Sequence, residues 1–342
     1  MTYILGNLMR NQWVSRHFPV IKILICSLLL VTFFIQNTNA QSSYPNKPIK
    51  VVVPYPAGGA ADISARLIAQ SMSESMGQPI LVDNRPGANG MIGTDVVAKS
   101  APDGYTLLFT ASGPLVVNPS LYKKVPYNPV KDFAPISMGT IYQYALVVNS
   151  ASKINSVQDL ISLAKQQPGT LSYGSTGIGG GGHLAGELLA QMAGVQFSHI
   201  PYKGAAPALA DTLSGQLSFN FEPLVTAVPM IKAGRLRGFA VTGNKRSKSI
   251  PNLPTLNELG FKGYNITQFQ GLLAPAGTDP AIIKKLHSEM VKALKTPQAD
   301  QRLAEEGGNE IVANTPEEFA QIIQSELKTY GKLIRDANIQ AD

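Results

Sequence analysis

The sequence predicts an α/β protein of two lobes, each a mainly parallel sheet flanked by helices. Three observations carry this. Short strand-like apolar runs alternate with helix-like runs along almost the whole chain. Two of the junctions share one design, a strand, a glycine-rich turn and a helix. The length suits two domains of ordinary size: removing a 40-residue targeting segment from the 342 residues leaves 302.

That segment comes first. Arg10, Arg16 and Lys22 are its only charged side chains, and all are positive. Ile21 to Ile35 is apolar apart from Lys22, Ser27 and Thr32, shorter than the roughly 20 residues of a bilayer-spanning helix. The small residues Thr38 and Ala40 suit cleavage after Ala40. An uncleaved anchor is the competing reading, and Met1 and Met9 both stand as possible starts. Cys26, behind the bulky Ile25, does not fit a lipid-attachment site. It is the only cysteine, so the mature chain has no disulfide, thiolate metal site or cysteine nucleophile. Trp13, the only tryptophan, leaves as well. Losing three positive charges lowers the net charge from +7 to +4. No basic run with interleaved aromatics follows, which argues against a nucleic-acid partner. A mildly positive surface favours anionic solutes.

In the mature chain Ile49 to Val53 reads as a buried strand and Ala60 to Met76 as a helix. Ile63, Leu67, Ile68, Met72 and Met76 give that helix a core-facing stripe, and Gly77 ends it. Further strands are expected at Ile80–Val82, Thr106–Thr110, Ala145–Val148, Thr170–Tyr173, Phe197–Ile200, Leu217–Phe221 and Gly238–Thr242. A second glycine-led helix is expected at His183 to Met192. Ser156, Thr255 and Thr315 each stand three residues before an acidic side chain, at Asp159, Glu258 and Glu318, the spacing of a helix N-cap. From Pro280 onward the chain reads as mostly amphipathic helix covering a lobe.

The two glycine-rich loops are Pro54–Gly59 and Gly174–Gly182. The first N–H groups of a helix lack intrahelical partners and carry the positive end of its dipole. Glycine lets a ligand approach that backbone, so such a loop holds a carboxylate or phosphate without a charged side chain. One loop per lobe would place two such sites across a cleft. The plainer reading, tight turns only, loses ground because both loops lie between a strand and a helix. Gly177, Gly179 and Gly182 also spell the dinucleotide-binding string. The acidic residue that should end the next strand is missing from Ile200-Pro201-Tyr202-Lys203-Gly204, and no cofactor is expected.

Tyr55-Pro56-Ala57-Gly58-Gly59-Ala60-Ala61-Asp62 resembles the signature of the tripartite tricarboxylate transporter substrate-binding proteins, the Bug receptors. The resemblance runs on through Asn84–Ala88, Pro102–Leu107, Tyr127–Phe133, His183–Leu188, Pro201–Gly204 and Gly271–Gly277. It implies a periplasmic, two-lobed receptor of the type II, Venus-flytrap fold. Carboxylates, amino acids or aromatic acids would bind between the two loops, partly through ordered water. The expected partners are transporter permease subunits or, alternatively, a sensor-kinase ectodomain. Gly180 stands where many members have Ser or Thr, and Glu222 where Asp is common. These departures put the family's better-known ligands in doubt for this chain.

The candidate ligand contacts are Tyr55, Ala57, Gly58, Gly59, Asp62, Ser112, Ser175, Thr176, Gly177, Gly180, His183, Tyr202 and Glu222. Asp62, in the first helical turn, is either a structural acid or an acceptor for a ligand amine; repulsion from a docked carboxylate favours the structural role. Ser112 offers a hydroxyl to the cleft or a turn. His183 is a donor or a packing residue. Glu222 receives an amine or hydroxyl, or makes a salt bridge. Catalysis finds no motif: His183, His199 and His287 lie in separate elements, and no metal site is read. The expectation is a monomer whose first lobe takes residues 43–143 and 269–342 and whose second takes 144–268. Hinge crossings are expected near Ala145 and Gly271, with ligand binding shifting the population from open to closed.

Overall fold

The computed structural model describes residues 44–336 and 339–340. The expected export segment and its cleavage site lie outside the described residues. The strands are β1 (Ile49–Val53), β2 (Ile80–Asn84), β3 (Thr106–Ala111), β4 (Phe133–Asn149), β5 (Ser172–Ser175), β6 (Ser198–Pro201), β7 (Phe219–Pro223), β8 (Leu236–Val241), β9 (Thr267–Pro275) and β10 (Glu310–Ile311). The main helices are α1 (Ala60–Met76), α2 (Met91–Ala98), α3 (Val157–Gln166), α4 (Gly181–Ala193), α5 (Ala205–Ser214), α6 (Leu224–Lys232), α7 (Pro280–Leu294) and α8 (Pro316–Asp336).

Two groups of strands meet on β4. One runs β2-β1-β3-β9-β4, the other β6-β5-β7-β4, with β8 and β10 pairing β4 off this path. The parallel pairs are the outer ones, β2-β1-β3 and β6-β5-β7. Every strand that pairs with β4 runs antiparallel to it. Both sheets are therefore mixed, with the expected parallel character confined to their outer strands. Along β4, Phe133 to Gln143 pair with β9, and Tyr144 to Val147 pair with β7. One strand thus serves both lobes of the fold.

Its first half escapes a sequence reading for a physical reason. Pro135 and Gly139 look like loop residues, yet the pairing slips by a residue beside each of them. A bulge lets a strand carry proline or glycine without breaking. The strand β9 also falls outside the expected series. Its segment Thr267-Gln268-Phe269-Gln270-Gly271 mixes polar and apolar residues although nearly all of it is buried.

α1 begins and ends where expected, Gly77 closing it in a left-handed conformation at φ 66°. Ala61, Ala65, Ile68 and Met72 are buried, whereas Ile63, Leu67 and Met76 are only half-buried. Small residues therefore take the centre of the contact. Ser156 and Thr315 cap α3 and α8 as read, Ser156 Oγ accepting from Asp159 N–H at 2.9 Å and Thr315 Oγ1 from Glu318 N–H at 3.2 Å. Thr255 and Glu258 also exchange both capping bonds, but no helix follows. Gly260, at φ 102°, ends that turn at once.

The core is continuous across both sheets, through Val52, Leu108, Leu146, Phe219, Tyr264 and Phe319. Burying a side chain the size of Phe219 contributes about 1.5–3 kcal/mol. α8 lays Phe319, Ile323, Tyr330 and Ile334 on the β4 side of the first sheet.

Candidate functional site

The first glycine loop leaves β1 at Val53 and enters α1. The first intrahelical bond is Ile63 N–H to Gly59 O at 3.0 Å, and Gly59 offers no side-chain cap. The N–H groups of Ala60 and Ala61 therefore stand without an intrahelical acceptor. Asp62 braces the loop from below. Its carboxylate accepts from Gly58 N–H at 2.9 Å, Asn84 Nδ2 at 2.9 Å and Arg66 Nε at 3.0 Å. Burial pushes this carboxyl up, but the bonds from Arg66, Gly58 and Asn84 outweigh it and hold the group below the usual range.

The second loop leaves β5 and enters α4, whose first bond is Leu184 N–H to Gly180 O at 3.0 Å. Here the brace is neutral. Gly179 N–H donates to His183 Nδ1 at 3.1 Å, which fixes the imidazole proton on Nε2. The His183 ring lies against His199, centroids 4.1 Å apart and tilted by 37°, and His199 Nε2 meets Ser175 Oγ at 2.7 Å. Ser175 Oγ in turn bonds Gly177 O at 2.9 Å and accepts from Gly177 N–H at 3.1 Å. Burial drives His183 down to about 3, with His199 adding to it, and drives His199 to about 4. Both rings are uncharged at neutral pH.

A third helix start joins them. Gly204 and Ala205, at the head of α5, line the same cavity as Gly59–Ala61 and Gly180–Gly181. Its empty volume is about 540 Å³, counting the mouth to solvent, within the range of small-molecule sites. Tyr55, Asn89, Tyr142, Tyr144, Thr176 and Gln268 contribute the polar side chains of the wall. Tyr144 donates to Tyr142 Oη at 3.4 Å. Burial raises the phenols of Tyr55, Tyr142 and Tyr144, so all three stay protonated.

Two glycines are required by close approach. A Cβ on Gly181 would stand 2.1 Å from Tyr144 Oη, and one on Gly204 would stand 2.5 Å from Pro56 Cγ. A Cβ on Gly59 would meet only Pro56 O, at 3.7 Å. The two sides of the cleft also touch directly, Tyr122 Oη donating to Ile178 O at 3.0 Å.

Of the residues singled out from sequence, Tyr55, Gly59, Thr176 and Gly180 lie in the cavity wall. Ala57 and Gly58 are exposed outside it, and the Gly58 amide is spent on Asp62. The Gly177 and Gly180 amides are spent within their own loop, on Ser175 Oγ and Gly177 O. The available donors thus sit one or two residues deeper, in the helices. Asp62, Ser175 and His183 hold loops. Ser112 gives its proton to Gln268 Oε1 at 2.6 Å, one residue from the wall at Gly113. Tyr202 Oη donates to Asp211 Oδ2 at 2.6 Å. Glu222 is 1 % exposed and bonds Asn220 Nδ2 and Thr226 Oγ1; burial lifts its carboxyl to about 8, so it is largely protonated at neutral pH. Among the described residues it has no salt-bridge partner.

Sequence reading missed Tyr142, Tyr144, Gln268 and the Gly204 helix start. The spacing of Tyr142 and Tyr144 places both on one face of a strand, a signal that was present once β4 is known to be a strand. His183 and His199 lie in different elements yet meet in space. Among the described residues no cluster of three or more His, Cys, Asp or Glu could hold a metal, and no helix is long and apolar enough to cross a membrane.

The fold and cavity define a two-lobed α/β binding protein. The tripartite tricarboxylate transporter family receptor model matches residues 64–339, and the chain belongs to that family. It is similar to the solved periplasmic binding protein BugD, with 32% identity, TM-score 0.84, and 87% of this chain and 100% of that one covered. It is similar to Rpa4515 of R. palustris, solved with adipate, at 34% identity and TM-score 0.84, covering 87% and 99%. MatC from Rhodopseudomonas palustris, solved with malate, shares 29% identity at TM-score 0.81, covering 85% and 100%.

Proposed function

We propose that this chain is a periplasmic receptor that captures a small carboxylate-bearing organic molecule for a tripartite tricarboxylate-type transporter. The observation that carries the reading is the convergence of three uncapped helix starts, at Ala60, Gly181 and Ala205, on one cavity. Each offers N–H groups and the positive end of a dipole to an anion. The adipate and malate held by Rpa4515 and MatC are acids of this class.

The lobes take residues 43–143 with 269–342, and 144–268. The switch of β4 from β9 to β7 between Gln143 and Tyr144 supports the first boundary. Closure brings Ile178 to Tyr122 over the ligand. The loaded receptor works as a monomer that docks on membrane permease subunits, and cleavage after Ala40 releases it to the periplasm.

No catalytic step is assigned. Ser175 and His199 make a nucleophile-and-base contact, but Ser175 Oγ is buried outside the cavity wall and tied to Gly177. The decisive experiment is a thermal-shift screen of organic acids on the mature protein, since a ligand specific for the folded state raises its stability. A dose-dependent rise with at least one acid is expected. No rise with any acid, together with turnover of an ester, would sink the receptor reading.

A further inference from the structure

The second glycine loop is held from two sides. On its own side, Gly179 N–H donates to His183 Nδ1 at 3.1 Å and Gly180 N–H to Gly177 O at 3.0 Å. Towards the first sheet it presents Ile178 O, which accepts from Tyr122 Oη at 3.0 Å. Among the described residues Tyr122 is the one donor to that carbonyl. Burial raises the Tyr122 phenol, so it keeps the proton it donates.

Gly179 completes the contact. It is buried, and a Cβ on it would stand 2.4 Å from Leu121 Cδ2 and 3.4 Å from Val117 Cγ1. Its backbone therefore seats directly on these two side chains. They belong to the chain between β3 and β4, Leu121 ending the short helix Asn118–Leu121, whereas Gly179 follows β5. Ile178 packs against the same apolar cluster as Val117 and Leu121. None of these five residues lines the cavity, yet Thr176, Gly180 and Gly181 of the same loop do.

A contact that forms only when the two halves meet stabilises the closed form alone. This one joins protein to protein, so its contribution is the same whatever the cavity holds. We propose that Tyr122 is a positioning residue: with the Val117–Leu121 seat for Gly179 it latches the second glycine loop onto the first lobe, and it gives the receptor a closed population before any solute is added. This rests on the two-lobe division above and is independent of the class of solute. Every solute the site admits gains affinity by the same factor, because the competent form is populated in advance.

The test reads the latch without a ligand. Residues 41–342 contain no cysteine, so labels can be placed freely. Spin labels on Lys131→Cys and Lys203→Cys, both exposed and one in each lobe, report the separation by pulsed dipolar spectroscopy. The mature protein is first unfolded, dialysed and refolded to strip bound solute. The parent is expected to show a short and a long distance, the short one matching this structure. Tyr122→Phe removes only the hydroxyl and is expected to lower the short-to-long ratio by about threefold to tenfold, the net size of one hydrogen bond. Tyr127→Phe is the control. It removes a bond of the same kind inside the first lobe, Tyr127 Oη to Pro114 O at 2.8 Å, and is expected to leave the ratio unchanged. A parent with only the long distance overturns the latch. So does a Tyr122→Phe distribution identical to the parent's, or an equal fall in Tyr127→Phe. None of these outcomes touches the carboxylate reading, which the thermal-shift screen decides.

Discussion

The two glycine-rich loops present the same feature, an uncapped helix start, but brace it with opposite chemistry. At α1 the brace is charged: Asp62 gathers Gly58 N–H, Asn84 and Arg66. At α4 it is neutral: His183 Nδ1 takes the Gly179 amide, with the His199 ring packed against it. The wall differs too. A Cβ on Gly59 would make only an ordinary contact with Pro56 O, whereas one on Gly181 would collide with Tyr144. The first loop is therefore the tolerant side of the site and the second the tightly fitted one.

The largest expected effect tests that contrast. Gly181→Ala must displace Tyr144 or the helix start, and ligand affinity is expected to fall at least 100-fold in titration calorimetry. Gly59→Ala adds only a methyl group to the cavity and is expected to cost about fourfold, the size of one methylene increment of roughly 0.8 kcal/mol. Equal losses from the two would erase the distinction.

Next comes the neutral brace. His183→Leu leaves the Gly179 amide unsatisfied, a cost of about 1–3 kcal/mol. A loss of affinity of roughly tenfold is expected, with His183→Asn restoring most of it through its amide oxygen. No rescue by Asn would mean that His183 serves only as packing. With His183 depressed to about 3 and His199 to about 4, the loop's contribution to stability is fully present above the unfolded histidine range near 6.5. It is lost as pH falls through about 4 and then 3. Asp62, also depressed, loses its brace only in acid. Ligand affinity is thus expected to be flat from pH 6.5 to 8, and a bell-shaped profile there would contradict both braces.

The smallest effect belongs to Glu222. A carboxyl raised to about 8 in the folded state binds a proton that the unfolded chain releases near 4.5. Its stabilising contribution is full below 4.5 and declines as pH rises to about 8. Glu222→Gln holds the neutral form at all pH. The fall in Tm from pH 6 to 8 is expected to be shallower in the variant; parallel curves would show that Glu222 does not titrate there.

Much of this was legible in the residues. Strand, glycine turn and helix at Val53–Ala60 were readable because glycine and the apolar stripe mark them locally. What escaped depended on distant partners. β4 hides behind Pro135 and Gly139 because only its neighbours show that bulges absorb them. The Thr255–Glu258 box forms its bonds and leads nowhere, since Gly260 reverses the chain. The tyrosines of the cavity were invisible for the same reason as β4. The structural role favoured for Asp62 agrees with its bonds to Arg66, Asn84 and Gly58, whereas Glu222 stood open between a ligand group and a salt bridge because sequence cannot show that Asn220 and Thr226 already occupy it.

The place of β9 has a consequence for how the chain acquires its shape. It lies between β3 and β4, in the interior of the first sheet, yet it follows the entire segment from α3 to β8. Phe133 waits for Pro275 across that whole span. Contacts so far apart in sequence form late, because the loop entropy is lost before they stabilise anything. The segment between them is contiguous and can consolidate on its own. Pulse-labelled hydrogen exchange is expected to protect β5 and β7 amides before those of β3 and β9. Synchronous protection would contradict this order. A receptor built this way completes its first lobe, and with it the Tyr142 side of the cavity, last.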